Sequence, residues 1–112
     1  MHVEQSEAAL HRQVADYLAR ALDGVPGAWW TTFPAGGGGK VRGAVLKGRG
    51  LKAGVPDILV IYRGLAYWIE LKSGKGRLSE EQLATWDDLR QAECRMIVCR
   101  SVGEIEDWLA IN

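Results

Sequence analysis

The segment that leaves the chain least freedom runs from Asp57 to Lys72. Two β-prone stretches, Asp57 to Tyr62 (DILVIY) and Leu65 to Leu71 (LAYWIEL), flank the pair Arg63-Gly64. A two-residue connection between such stretches predicts a β-hairpin. The turn sets the register: Tyr62 faces Leu65, and counting outward brings Asp57 opposite Glu70. Side chains alternate along a strand, and paired residues share a face. One face then carries Ile58, Val60, Tyr62, Leu65, Tyr67, Ile69 and Leu71, all apolar or aromatic. The other carries Leu59, Ile61, Ala66 and Trp68 near the turn, then Asp57, Glu70 and Lys72 at the open end.

Two carboxylates facing each other across a sheet repel and destabilise it. A cation between them removes the conflict. Carboxylate oxygens, completed by water or a main-chain carbonyl, suit Mg²⁺ or Mn²⁺ and not zinc. Lys72 lies two residues beyond Glu70 and points the same way. It is placed to bind a phosphate or to help deprotonate a water. The plainer alternative is a surface salt bridge between Lys72 and either acid.

Before the hairpin, Leu10, Val14, Tyr17, Leu18, Ala21 and Leu22 recur at three and four residues. That spacing predicts an amphipathic helix from Ser6 to Leu22, capped by Ser6 and stopped at Gly24. Glu7 lies three before Leu10 and seven before Val14, which puts it on the inward stripe, where an acid asks for a partner. Trp29 to Phe33 is β-prone and predicts a first strand. After the hairpin, Ser79 with Gln82 reads as a capping box and Leu78 with Leu83 as a hydrophobic staple. A helix from there runs through Trp86 and Leu89 to about Ala92. Arg95 to Cys99 reads as a strand, and Val102 to Ala110 as a short final helix with Ile105, Trp108 and Leu109 inward. Helix, strands, hairpin, helix, strand and helix make an α/β fold with helices packed on a sheet.

Charge is distributed in blocks. Residues 1–39 sum to −2, residues 40–78 to +7 and residues 79–112 to −5. Within residues 36–54, eight of nineteen are glycine, with Lys40, Arg42, Lys47, Arg49 and Lys52 interleaved and no acid. Gly-Lys-Ser/Thr is absent, so this is not a phosphate-cradling P-loop. The stretch reads as a solvated loop or as a mobile backbone that carries cations to a polyanion, with a short strand at Val41 to Leu46. Lys75 and Arg77 add to it beyond the second hairpin strand. The five tryptophans read as core or interface, Trp30 beside the glycines being the best candidate for base stacking.

The longest apolar run, Ile58 to Tyr62, is far too short to span a membrane, and no stretch reads as a signal peptide. Cys94 and Cys99, without a CxxC pattern, fit a reducing intracellular compartment.

Gly54-Val55-Pro56-Asp57 followed by Glu70-Leu71-Lys72 resembles the PD-(D/E)xK nuclease signature. Ser6-Glu7-Ala8-Ala9-Leu10, the approach Lys52 to Asp57, and Gly76-Arg77-Leu78-Ser79-Glu80-Glu81-Gln82 extend the resemblance to the VRR-NUC branch. It covers nearly the whole chain and implies a single stand-alone, phage-type module over residues 1–112. The fold implied is a restriction-endonuclease-like core: a mixed β-sheet flanked by helices in αβββαβ order, with a short C-terminal helix. The activity implied is divalent-metal hydrolysis of DNA phosphodiesters in the cytoplasm, leaving 5′-phosphate and 3′-hydroxyl ends.

Carried over by position, the resemblance makes Asp57, Glu70 and the Leu71 carbonyl ligands of Mg²⁺ or Mn²⁺. It makes Lys72 the group that orients or activates water. Glu7 approaches the metal from the first helix, and Gln82 supports Lys72 or the attacking water. Where related chains often carry Asn-Gly just after the first strand, this one has Pro34-Ala35-Gly36-Gly37. Stand-alone relatives resemble homodimeric enzymes that cut branched DNA such as four-way junctions. The rival reading is a non-catalytic nucleic-acid-binding module on the same fold; the intact Asp57, Glu70 and Lys72 speak against it. A restriction-type enzyme ranks below both, because no separate base-reading element is visible.

Overall fold

Both residues of the hairpin turn adopt left-handed backbone, Arg63 at φ 49° and Gly64 at φ 85°. That conformation matches the twist of the strands it joins. The computed structural model describes residues 5–33 and 39–111. The elements are α1 (Glu7–Leu22), β1 (Ala28–Thr32), α2 (Gly39–Gly48), β2 (Ile58–Tyr62), β3 (Leu65–Leu71), α3 (Glu80–Gln91), β4 (Arg95–Cys99) and α4 (Val102–Ile111). Strands β2 and β3 pair antiparallel from Tyr62 with Leu65 to Ile58 with Ile69, in the register counted from the turn. Strand β1 adds antiparallel to β2, and β4 adds parallel to β3. The result is a four-stranded mixed sheet in the order β1-β2-β3-β4. A parallel neighbour needs a crossover, which α3 supplies.

The apolar hairpin face is the core face. Ile58, Val60, Tyr67, Ile69 and Leu71 are buried there with Leu10, Val14 and Leu18 of α1, Cys99 of β4 and Ile105 of α4. Each such side chain contributes about 1.5–3 kcal/mol by leaving water. The Tyr67 and Trp108 rings meet edge to face, 5.5 Å between centroids, and tie α4 to the same layer. Ser6 caps α1, its hydroxyl accepting from the Ala9 N–H. Helix α3 begins with the capping box, both Ser79–Gln82 bonds being formed. It buries no residue, and Leu83 stays half exposed, so the Leu78–Leu83 staple shelters little apolar surface.

The short strand expected at Val41 to Leu46 is instead part of α2. Its apolar residues do not alternate as a strand requires, whereas Gly43, Leu46 and Lys47 stand at helical spacing and face one cleft. The order of elements is therefore αβαββαβα, with α2 inserted between the first two strands. Trp30 is half-buried, packs against the core and donates its indole N–H to Asp23 at 2.8 Å; it is no free stacking platform. The exposed tryptophan is Trp29. The side chain of Lys40 and the Pro34–Gly37 departure lie outside the described residues. No helix among the described residues is long and apolar enough to cross a membrane.

Candidate active site

The acids lie where the sheet's ladders run out. The Phe33 N–H donates to the Asp57 carbonyl at 3.1 Å, one step beyond the last β1–β2 pair. The Asp57 side chain accepts from the Leu71 N–H at 2.7 Å. This bond ties the carboxylate of one hairpin strand to the backbone of the other. The Glu70 side chain is hydrogen-bonded to Asp57 and is 2% exposed. Its carboxyl is pushed up to about 9, first by burial, then by the hydrogen bond to Asp57 and by that group's charge. Lys72 opposes the rise and Glu7 adds to it. Two facing acids thus coexist because Glu70 holds its proton and Asp57 borrows the Leu71 N–H. The repulsion anticipated from the register is relieved in both ways.

Lys72 continues β3, its N–H donating to the Cys99 carbonyl at 3.0 Å. Its side chain is half-buried, and no ion pair within 4.0 Å joins it to either acid. The salt-bridge alternative is therefore not what forms. The turn that follows is pinned by Arg100, whose guanidinium donates to the Gly74 carbonyl at 2.7 Å. Nothing in the sequence pointed to Arg100. Glu7 is exposed in the first turn of α1, contrary to its expected place on the buried stripe, and only its charge reaches Glu70. Among the described residues no group of three or more His, Cys, Asp and Glu side chains is placed to hold a metal.

The approach to Asp57 is locked by α3. Thr85 donates its hydroxyl to the Ala53 carbonyl at 2.7 Å. Gly54 sits at φ +74°, and a Cβ there would collide with the Glu81 carbonyl group and lie 2.7 Å from the Gln82 nitrogen. Gly54→Ala should therefore cost at least about 2 kcal/mol, strain and collision combined. Gly24→Ala, at φ +81° with nothing within 4 Å, meets the strain alone. Urea denaturation of both variants checks this; equal losses would contradict it. Pro56 is buried and leads straight into Asp57.

Gln82 uses its Oε1 to accept from the Ser79 N–H at 2.8 Å. The same side chain lines a cleft of about 420 Å³ with Asp57, Phe33, Leu46, Lys47 and Lys52. Arg42 and Arg49 are exposed on and just after α2; Lys75 and Arg77 are exposed between β3 and α3. The structure thus brings Asp57, Glu70 and Lys72 to one end of the hairpin, with Gln82 and two lysines around the adjoining cleft. The cleft is not visible in the sequence because its wall is α2, a segment whose glycines suggest loop and strand.

A family model described as VRR-NUC domain matches residues 38–103, a span holding Asp57, Glu70, Lys72 and Gln82 but not Glu7. No curated protein sequence matches the chain. A solved structure described as a VRR_NUC domain superposes with a TM-score of 0.59 at 19% identity, over 88% of this chain and 92% of that one. That likeness carries the fold, a mixed sheet flanked by helices with a C-terminal helix. The family match covers more than half of the sequence and includes the whole acid-bearing hairpin, so the chain belongs to the VRR-NUC domain family, a family of nuclease-type fold.

Proposed function

We propose that the chain is a divalent-cation-dependent DNA endonuclease with Asp57, Glu70 and Lys72 at its centre. The observation that supports this most directly is the hydrogen-bonded Asp57–Glu70 pair, with Glu70 2% exposed and no ion pair to either acid among the described residues. A buried carboxyl without such a partner is costly to ionise unless a positive charge arrives. Mg²⁺ keeps several waters and is commonly bound through one or two carboxylates plus substrate phosphate, so an oxygen-only pair fits Mg²⁺ or Mn²⁺. The carboxylates of Asp57 and Glu70, with the Leu71 carbonyl, would hold it. Such an ion lowers the pKa of a bound water and neutralises phosphate oxygens.

The chain's own groups do the rest. Asp57 stays aimed because the Leu71 N–H holds it. Glu70 releases its proton when positive charge enters. Lys72 presents an ammonium to phosphate or water beside the acids. Gln82 keeps its Oε1 on the cap, which leaves its amide N–H₂ to orient water or phosphate in the cleft. Exposed Glu7 adds negative charge at longer range, and a ligand role for it, direct or through water, belongs to the same proposal. Lys40, Arg42, Lys47, Arg49, Lys52, Lys75 and Arg77 are assigned to the DNA backbone. Branched DNA such as a four-way junction is the proposed substrate, read through backbone shape. Cleavage of linear, nicked, flapped and four-way DNA in Mg²⁺, Mn²⁺ and EDTA tests the reading; binding without cleavage in any metal would leave a nucleic-acid-binding module.

Each phosphate contact steepens the salt dependence of binding by about 0.9 in log–log slope. Lys47→Ala with Arg49→Ala should weaken all duplexes alike and flatten that slope by up to about 2. Unchanged affinity and slope would remove α2 from the interface. Two symmetric cuts in a junction need two clefts, which a two-fold homodimer supplies. Sedimentation at micromolar concentration should show a dimer; a monomer there contradicts that part of the proposal.

A further inference from the structure

Hydrolysis at the acid pair needs only a phosphate and its sugar, yet a cleft of about 420 Å³ adjoins Asp57. Its walls are mainly apolar: Phe33, Leu46, Leu51, Val55 and Pro56. Lys47 and Lys52 are the cations on its lining. A concave apolar recess with a few polar groups is what a flat organic body of nucleotide size requires. The Phe33 ring is held in place by stacking on Trp68, 5.6 Å between centroids at an angle of 24°. Phe33 is also the residue whose N–H bonds the Asp57 carbonyl, so the ring and the acid are fixed to each other through the backbone.

We propose that this recess is a nucleobase pocket that takes one unpaired base of the strand being cut. The proposal rests on the nuclease reading above and deepens it. The occupant follows from the lining. A base supplies the apolar flat body for Phe33 and Leu46, and its own phosphates supply the anion for Lys47 and Lys52. Continuity with Asp57 places such a nucleotide next to the scissile phosphate. A base stacked and paired in a duplex cannot enter; it must be free already or be extruded at a cost in unstacking. Among branched DNAs, the preferred substrate is then one that carries an unpaired nucleotide beside the cut.

The test uses the full-length protein and synthetic duplexes carrying one unpaired nucleotide, with either a base or an abasic residue at that position. Binding is followed by fluorescence anisotropy in EDTA, and cleavage in Mg²⁺. Base stacking on aromatic side chains predicts that the abasic DNA binds about tenfold to a hundredfold more weakly. Phe33→Ala should weaken the base-bearing DNA by a similar factor and leave the abasic DNA nearly unaffected, since both changes remove one contact. Phe33→Tyr should restore the preference. If wild-type protein binds base-bearing and abasic DNA equally, the pocket is refuted without any variant having to fold. If the preference is present but no metal supports cleavage, the pocket stands and the nuclease reading falls. If cleavage depends on Asp57 while no base preference exists, the nuclease reading stands and the pocket falls.

Discussion

In EDTA the protein should become less stable as pH rises from about 6 to 9, and Glu70→Gln should abolish most of that loss. The folded-state value of Glu70 is raised from an ordinary 4.5 to about 9, by burial first and then by Asp57. Between those limits the folded chain keeps a proton that the unfolded chain releases. Stability tied to this group is therefore fully present below about 4.5 and declines until pH passes about 9. The slope is at most about 1.4 kcal/mol per pH unit, so two units are worth up to roughly 3 kcal/mol. A neutral amide at position 70 keeps a donor toward Asp57 and has nothing to titrate. Urea midpoints at pH 6, 7, 8 and 9 decide the matter. A wild-type midpoint that holds steady or rises, or a Glu70→Gln variant that falls just as steeply, would contradict the buried proton on Glu70. Added Mg²⁺ should offset the loss at high pH, because a ligand of the folded state stabilises it by mass action.

The acid pair was legible in the sequence because a two-residue turn leaves no freedom in register. Once Tyr62 pairs with Leu65, Asp57 must stand opposite Glu70. The capping box at Ser79 and the stripe of Leu10, Val14 and Leu18 were legible for the same kind of reason: local spacing determines local contacts. What stayed hidden depends on partners distant in sequence. Glu7 stands on the stripe of Leu10 and Val14, yet it is exposed because burial along that stripe begins only at Leu10. Nothing near Val41 reveals the cleft that Gly43, Leu46 and Lys47 of α2 line. The bond from the Leu71 N–H to Asp57 spans fourteen residues and replaces a ladder partner with a side chain. Repeat counting cannot find such a substitution, although the end of a hairpin is where it becomes possible.

That bond changes what removal of the acids should do, and it separates their role from that of Lys72. Two facing carboxylates alone would lead one to expect added metal-free stability when either is deleted. Asp57→Ala should instead destabilise, because it strips the Leu71 N–H and the Glu70 carboxyl of their partner inside the fold. Leaving such a group unsatisfied costs about 1–3 kcal/mol. Asp57→Asn retains an acceptor for the Leu71 N–H and is the cleaner probe. It should fold, lose most affinity for Mg²⁺ or Mn²⁺, and stop cutting. Lys72→Ala removes a positive charge beside Glu70 while both carboxylates remain in place. Metal should still bind, and more tightly, since the competing cation is gone. DNA should still bind, yet cleavage should slow at least roughly a hundredfold, the lower range for loss of an acid–base or electrostatic group. Calorimetric titration of metal beside a cleavage assay distinguishes the two classes of variant. Near wild-type cutting by Lys72→Ala would remove that residue from the chemistry, and unchanged metal binding by Asp57→Asn would mean that the hairpin end is not the metal site.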